Sequence, residues 1–401
     1  MGCRDRTPVA DRAPASNGHA MRVAAALSRT EEADLAAAEA ADAVGVALGS
    51  ASADLAVVLV SAEHAEDLAA VSAAVETRLE PEVLIGAAAQ GVLGPDEEVE
   101  VGPAVVVWCA DLGPGRAVPF RSWALRPQRG GIAVAGWPQT SPGELTLVLA
   151  DPFSFPMADV ARRVGRDRPE RPIIGGLVTP GQGRSRLLLD GRVHEDGVVG
   201  VVLQDVPTST VVSQGCRPVG EPLTVTAVDR NRILELAGAP ATDRLRELLD
   251  AADPVDREQM ERGGLQIGLV VDEVRDDYVP GDFLVRGVLG VDPDAGVITV
   301  GDLVEVGQTV QFQVRDAASA HDDLQARLAT TSPAAGGLLF TCNGRGQGLF
   351  GEPDHDLHQV RAAVQGPIAG AFCSGELGPV GRASHLHSFT ASVLVLGGPS
   401  R

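Results

Sequence analysis

"IGAAAQGVLG" (residues 85–94) and "AGAFCSGELG" (residues 369–378) agree at five of ten positions, although they lie near opposite ends of the chain. Each stretch follows the same succession of patterns. "DLAVVLVS" (54–61) reads as a short buried strand, and Leu68, Val71, Val75 and Leu79 then recur at helical spacing. The first decapeptide comes next, and "GPAVVVWCA" (102–110) closes the unit. Near the other end, "GLLFTC" (337–342) leads to a helical pattern at Leu357, Val360 and Val364, then to the second decapeptide and to "HSFTASVLVL" (387–396). A weaker third copy lies between them: "LTLVLADP" (145–152), a helix near Met157 to Val164, "PIIGGLVTPGQG" (172–183), and the strand pair "SRLLLDGRV" and "DGVVGVVLQ". Self-similarity of this kind predicts one supersecondary unit used repeatedly. The expected fold class is α+β, a mixed α/β arrangement of repeated β-α-β-β units forming two packed mixed-sheet domains.

The domains are expected at 21–226 and 227–401, with residues 1–20 a polar, Pro-rich, disordered tail. Residues 209–316 read as mostly β, with turns at Asp229-Arg230-Asn231 and across Asp292 to Gly296, and one helix around Ala241 to Asp250.

Composition removes several function classes. Among 401 residues the formal charge is −21, and there is no lysine. Nucleic-acid binding draws its affinity from cations that displace phosphate counterions, so neither nucleic acid nor an anionic membrane is an expected partner. Aromatic residues are 3% of the chain, too few for base-stacking platforms. Apolar runs such as Ala104 to Ala110 are far shorter than the roughly 20 residues of a membrane helix. Five cysteines (Cys3, Cys109, Cys216, Cys342, Cys373) are odd in number and lack a CxxC pair, which points to reduced thiols and a cytoplasmic setting.

The repeat separates what the fold requires from what it does not. Gly86 and Gly370, and Gly91 and Gly375, are shared, so the fold demands them. Ser61-Ala62 become Cys342-Asn343, and Ala89, Gln90 and Val92 become Cys373, Ser374 and Glu376. Ligands in sheets of this kind bind outside the carboxyl ends of the strands, so the C-terminal copy is expected to hold the site.

The stretch "TCNGRGQGLFGEPDHDLH" (341–358) admits several readings. Gly346, Gly348 and Gly351 spell GxGxxG, but the helix is expected only after Pro353, with Asp354 as its N-cap, and no acid follows at the next strand end. A phosphate-binding P-loop needs a lysine that the chain lacks. Asp354, His355, His358, His385, His387 and Cys342 could hold a metal, yet HExxH and CxxC are missing, and no metal or cofactor is expected. Cys342 or Cys373 could act as a nucleophile with His355 or His387 as base, provided nearby positive charge depresses the thiol pKa. A binding pocket asks less. Gln214, Cys216, Arg217, Arg286, Cys342, Asn343, Arg345, Cys373, Ser374 and Glu376 offer the arginines that a carboxylate wants and the carboxylate that an ammonium wants. They are the expected ligand-binding residues, and no catalytic residue is assigned.

The stretches "DLAVVLVSAEHAEDL", "LIGAAAQGVLG", "IIGGLVTPGQG", "VVSQGCRPVGEPLTVT", "GDFLVRGVLGVDPDAG", "TVQFQVRDAASA", "LLFTCNGRGQGLFGEPDHD", "GELGPVG" and "FTAS" together resemble the paired FIST N and FIST C domains of bacteria, over about residues 22 to 397. The resemblance implies an intracellular sensory module that binds a small ligand, an amino acid or its derivative, and is often joined to an output domain. The chain ends at Arg401, directly after the last expected strand, so a separate signalling partner protein is expected to carry the output. The family supplies no agreed catalytic residues, and the site residues above are read from this sequence itself, not carried over from the family.

Overall fold

The computed structural model describes residues 20–127, 131–271, 273, 278 and 281–397. The expected disordered tail falls outside them, apart from residue 20.

Three units of like connectivity make the body of the molecule. In each, two parallel strands are joined by a crossover helix: Leu55–Val60 and Val83–Ala88 through Leu68–Leu79, Leu145–Ala150 and Ile173–Leu177 through Met157–Asp167, Gly336–Cys342 and Ile368–Cys373 through His355–Val364. A closing strand then returns antiparallel beside the first of the pair: Val105–Asp111, Val198–Gln204 or Thr390–Leu396. An outer strand completes each sheet: Arg22–Ser28, Arg116–Leu125 or Thr208–Gln214. The strand Arg22–Ser28, the Ala-rich helix Ala33–Leu48 and the helix Ala317–Leu328 carry no strong alternating or heptad pattern, and the sequence reading does not find them.

Between the second parallel strand and the closing strand each unit extends a short hairpin, and none of these stays in its own sheet. The first unit's hairpin (Val92–Leu93 with Glu98–Val99) pairs with Ile368–Cys373 of the third. The third unit's hairpin (Glu376–Val380 with Ala383–His387) pairs with Ile173–Leu177 of the second. The second unit's hairpin (Leu187–Leu189 with Arg192–His194) pairs with Val83–Ala88 of the first. The exchange is cyclic, so each sheet is capped by a neighbour's chain.

Register makes the units comparable residue by residue. Gly86, Gly175 and Gly370 are each opposite a leucine of the received hairpin: Leu188, Leu377 and Leu93. A Cβ at any of the three would overlap the carbonyl oxygen of the parallel strand beside it, that of Val58, Val148 or Leu339. The shared glycine is therefore required by close backbone approach.

The inner faces of the three sheets meet in one central core that includes Val57, Leu59, Leu147, Leu149, Leu338 and Phe340. Helices cover the outer faces over separate apolar layers. Burying a Val, Leu or Phe side chain is worth about 1.5–3 kcal/mol, and here those side chains alternate between the central core and a helix layer. Within the third unit, strands between residues 216 and 315 form a separate β module. Six of them close into a ring, the last pairing being Leu265–Val270 with Thr309–Arg315, around a core containing Ile233, Ile267, Ile298 and Phe312. Both expected hairpin turns are present. The single expected helix is joined by a second, Pro254–Gln259, which starts on proline and is capped by Asp253.

Candidate functional site

The carboxyl ends of Gly336–Cys342 and Ile368–Cys373 lie side by side, with Cys342 and Cys373 as register partners and the Asn343 N–H donating to the Cys373 carbonyl at 2.8 Å. Leu338 and Phe340 face the central core and Leu339 faces the helix layer, so strand alternation turns Cys342 inward and Thr341 outward. The next hairpin begins here, and it places Glu376 at the position where the other two units carry Val92 and Leu187. All three side chains are fully buried, and only one of them is polar.

Glu376 is partly satisfied. Its Oε2 accepts from the Thr390 amide at 3.1 Å and the Thr390 hydroxyl at 2.7 Å. Cys342 lies near the carboxylate and helps to lower its pKa, and Oε1 has no hydrogen-bond partner among the described residues. A buried oxygen left unpaired costs about 1–3 kcal/mol. Burial pushes the carboxyl up to about 8, against the opposing pull of Thr390 and Arg345. Asn343 repeats the theme at the rim. Its Nδ2 donates to the Ser374 hydroxyl at 3.3 Å, its Oδ1 has no partner among the described residues, and Ser374 itself is exposed.

Arg345 closes the other side. It is 1% exposed and forms a fork–fork pair with Asp356, Nε to Oδ2 at 2.7 Å and Nη2 to Oδ1 at 2.8 Å. Burial alone would raise the Asp356 carboxyl, but Arg345, His355 and Thr341 together hold it well below the usual range. Behind the pair runs a chain of contacts: Thr341 donates to Asp356, His355 Nδ1 lies 3.1 Å from Asp356, and His355 Nε2 meets His321 Nδ1 at 2.9 Å. Phe350 stacks on His355 with ring centroids 3.5 Å apart. His355 thus belongs to a buried polar relay.

Asp354 corrects the expected N-cap. It stands at the cap position with φ +62°, its side chain caps nothing on its own helix, and Oδ1 instead accepts from the Glu98 amide at 2.6 Å. The cap comes from the donated hairpin, where Glu98 accepts from the Leu357 N–H at 2.9 Å and Glu100 from the Gln347 N–H at 2.7 Å. A short helix, Gln347–Phe350, also forms inside the glycine run, earlier than the expected start after Pro353.

Six of the sequence-selected residues therefore meet: Cys342, Asn343, Arg345, Cys373, Ser374 and Glu376. Cys216 joins them from the β module, feeling the charge of Arg315 and Arg345. Gln214 reaches across to the module instead, donating to the Phe283 carbonyl at 2.6 Å. Arg217 is paired with Asp256 and Asp316, and Arg286 with Asp302 at 2.8 Å. The three arginines chosen from sequence thus already carry carboxylate partners.

Arg315, which the sequence reading passed over, has no carboxylate at ion-pair distance among the described residues. It is the register partner of Cys216, and its guanidinium lies over the Phe389 ring at 5.5 Å. A Cβ on Gly344 would sit 3.3 Å from its Nη1, so the arginine borders the strand-end loop. Phe389 itself has φ +61°, an uncommon state for a non-glycine residue that aims its carbonyl at the Gly215 amide, 2.8 Å away. In the sequence Phe389 stands inside the quoted strand "HSFTASVLVL" and the "FTAS" block, with no role assigned to it.

Burial disfavours the thiolate at each of the site's three cysteines. Burial pushes Cys216 and Cys342 up to about 12 and Cys373 well above its ordinary value, and Glu376 adds to the rise at the latter two. Among the described residues no group of three or more His, Cys, Asp or Glu could hold a metal ion, and no helix is long and apolar enough to cross a membrane.

Comparison with known proteins agrees with this geometry in extent. A FIST N domain model matches residues 54–239 and a FIST C domain model residues 241–379. An uncharacterized protein of Mycobacterium tuberculosis is 43% identical over 381 residues, covering 93% of this chain and 99% of its own. An uncharacterized protein of Mycobacterium bovis is 41% identical over 382 residues, covering 93% and 98%. The chain belongs to the FIST family.

Proposed function

We propose that the chain is a cytoplasmic sensory protein that takes an amino acid or a related small metabolite at the strand ends of the third unit and reports occupancy to a separate partner protein. FIST domains are associated with small-ligand-binding sensory roles in signalling, which supports the class. One observation carries the ligand chemistry: Glu376 Oε1 is a buried, unpartnered carboxyl oxygen at a position where two equivalent sites are hydrocarbon. An ammonium group would satisfy it together with Asn343 Oδ1, and Arg315 would receive the carboxylate of the same molecule. The raised thiol pKa values weigh against nucleophilic catalysis by Cys342 or Cys373.

Thermal-shift and calorimetric titration of the full chain against the amino acids and their decarboxylated amines tests the reading. At a hundredfold excess over its Kd a ligand adds about 2.7 kcal/mol to the folded state. An arriving ammonium draws the Glu376 proton off, so binding near pH 7 releases protons and the observed enthalpy varies with buffer. A flat response across the panel, or binding unaffected by Glu376→Gln, sinks the proposal.

A further inference from the structure

Outside the strand-end site, three polar side chains converge where the helices Ala317–Leu328 and His355–Val364 pack together. His355 and Gln359 stand four residues apart and so share one face of their helix, and His321 comes from the other helix. His321 Nδ1 lies 2.9 Å from His355 Nε2, while Gln359 Nε2 lies 3.2 Å from the first and 3.1 Å from the second. Three atoms on three side chains thus form a closed triangle of nearly equal sides.

Hydrogen atoms alone do not satisfy that triangle. Asp356 is ion-paired with Arg345, and its Oδ1 accepts from His355 Nδ1 at 3.1 Å, which makes Nε2 the lone-pair nitrogen of the neutral ring. A ring nitrogen either donates or accepts, and a carboxamide nitrogen only donates. If Gln359 donates to both rings, two lone pairs face each other at 2.9 Å. If His321 Nδ1 donates to His355, the amide nitrogen meets an N–H. One side of the three is always mismatched. Gln359 Oε1, meanwhile, is buried without a partner among the described residues. Turning the carboxamide about its last bond exchanges its two ends and brings that oxygen into the triangle, which then holds three lone pairs.

We propose that this triangle is a binding site for a divalent transition-metal ion, with His321 Nδ1, His355 Nε2 and Gln359 Oε1 as its protein ligands. Ligands about 2.1 Å from an ion stand roughly 3.0 Å apart in an octahedral shell and roughly 3.4 Å apart in a tetrahedral one. Sides of 2.9, 3.1 and 3.2 Å match one face of an octahedron, and the other positions are left to water or a small molecule. A carboxylate taking the second N–H of the ring, as Asp356 does for His355, is the contact that orients a metal-bound imidazole. Two imidazoles and an oxygen suit zinc, iron or nickel better than magnesium or calcium. Gln359 also borders, with Gln325, Leu328 and Ala362, a cavity of about 420 Å³ that gives an ion a way in. Of the residues that the sequence offers for a metal only His355 takes part, and the carboxamide places the set outside those built from His, Cys, Asp and Glu alone.

The probe is Zn²⁺, titrated by calorimetry into the full chain after treatment with EDTA. One ion per chain is expected to bind with a Kd below about 1 µM. His321→Ala and Gln359→Leu are each expected to weaken it by about tenfold or more. His358→Ala, which removes an exposed histidine of the same helix, leaves it unchanged. Gln359→Glu is expected to tighten binding by about tenfold or more, since two imidazoles and one carboxylate make a charged facial set. That gain keeps the test decisive if His321→Ala does not fold. Glu376→Gln, which disables the strand-end site, leaves the metal affinity intact and so separates this inference from the amino-acid reading. Absence of stoichiometric binding to the parent overturns the proposal. So does undiminished binding to His321→Ala or Gln359→Leu, loss in His358→Ala, or no gain in Gln359→Glu.

Discussion

The first and third units can be laid over one another through Gly86 and Gly370, and at most positions the exchange is of one hydrocarbon for another. At Val92 and Glu376 it is not. The same backbone, the same buried depth and the same neighbouring leucine hold an apolar side chain in one unit and a carboxyl in the other. Nothing in the fold asks for that carboxyl, since Leu187 fills the equivalent place in the second unit as readily as Val92 does in the first. The glycine and the carboxyl are therefore opposite kinds of residue: one is present because the architecture fails without it, the other although the architecture would do better without it.

The glycine half of the comparison breaks most violently. Gly370→Ala drives a methyl group into the Leu339 carbonyl, and backbone on a parallel strand has nowhere to move. A loss of about 4 kcal/mol or more is expected, enough to leave most of the chain unfolded or aggregated. Gly348→Ala is the control, because nothing lies within 4 Å of that position. Urea unfolding of the pair measures the contrast. Equal midpoints would show that the shared glycine is not required by contact.

Next in size is the ion pair beside the carboxyl. Asp356→Asn leaves the Arg345 guanidinium buried at 0% side-chain exposure without its counter-charge. Breaking one member of such a pair costs about 3–5 kcal/mol, whereas replacing both with apolar groups is often neutral. Asp356→Leu/Arg345→Met is therefore expected to recover much of what Asp356→Asn loses, by urea unfolding. The native pair also carries a pH signature. The folded Asp356 pKa is depressed, so its stabilisation is present above the ordinary carboxylate pKa and disappears as pH falls through the folded value, deep in acid.

How much of this the sequence disclosed follows from what each feature depends on. Glycines and strand-end substitutions are local, and the alignment of two decapeptides is enough to find Gly370, Cys373, Ser374 and Glu376. The hairpin exchange is not local. Val92 and Leu93 stand inside the first decapeptide with no sign of leaving their own unit, and only distant contacts decide that they join Ile368–Cys373. Because of that exchange Glu98, far away in the chain, caps the helix that Asp354 was expected to cap. Arginines fared worst. Arg217, Arg286 and Arg345 stand out by neighbouring residues, yet each spends its charge on an aspartate, and Arg315, which has no carboxylate at ion-pair distance among the described residues, sits in a strand whose sequence, "TVQFQVR", gives no sign of it.

The gentlest test restores the symmetry. Glu376→Leu rebuilds the third unit in the image of the second, removing a carboxyl whose Oε1 is unpaired. A gain of about 1–3 kcal/mol in the unliganded protein is expected, together with loss of amino-acid binding. The pH dependence supplies the sign. The folded pKa of Glu376 is raised to about 8 from the ordinary 4.5, so its favourable contribution is complete below the unfolded value and drains away as pH rises toward 8. Parent stability should fall across that window, and the variant should fall less steeply. It should not become flat, because burial followed by Asp356 also raises Glu98 of the donated hairpin to about 8. Glu376→Leu/Glu98→Gln is then the variant expected to approach a level profile. A double variant with the parent's slope would mean that neither buried carboxyl holds its proton at neutral pH, and the contrast between Val92 and Glu376 would lose its energetic content.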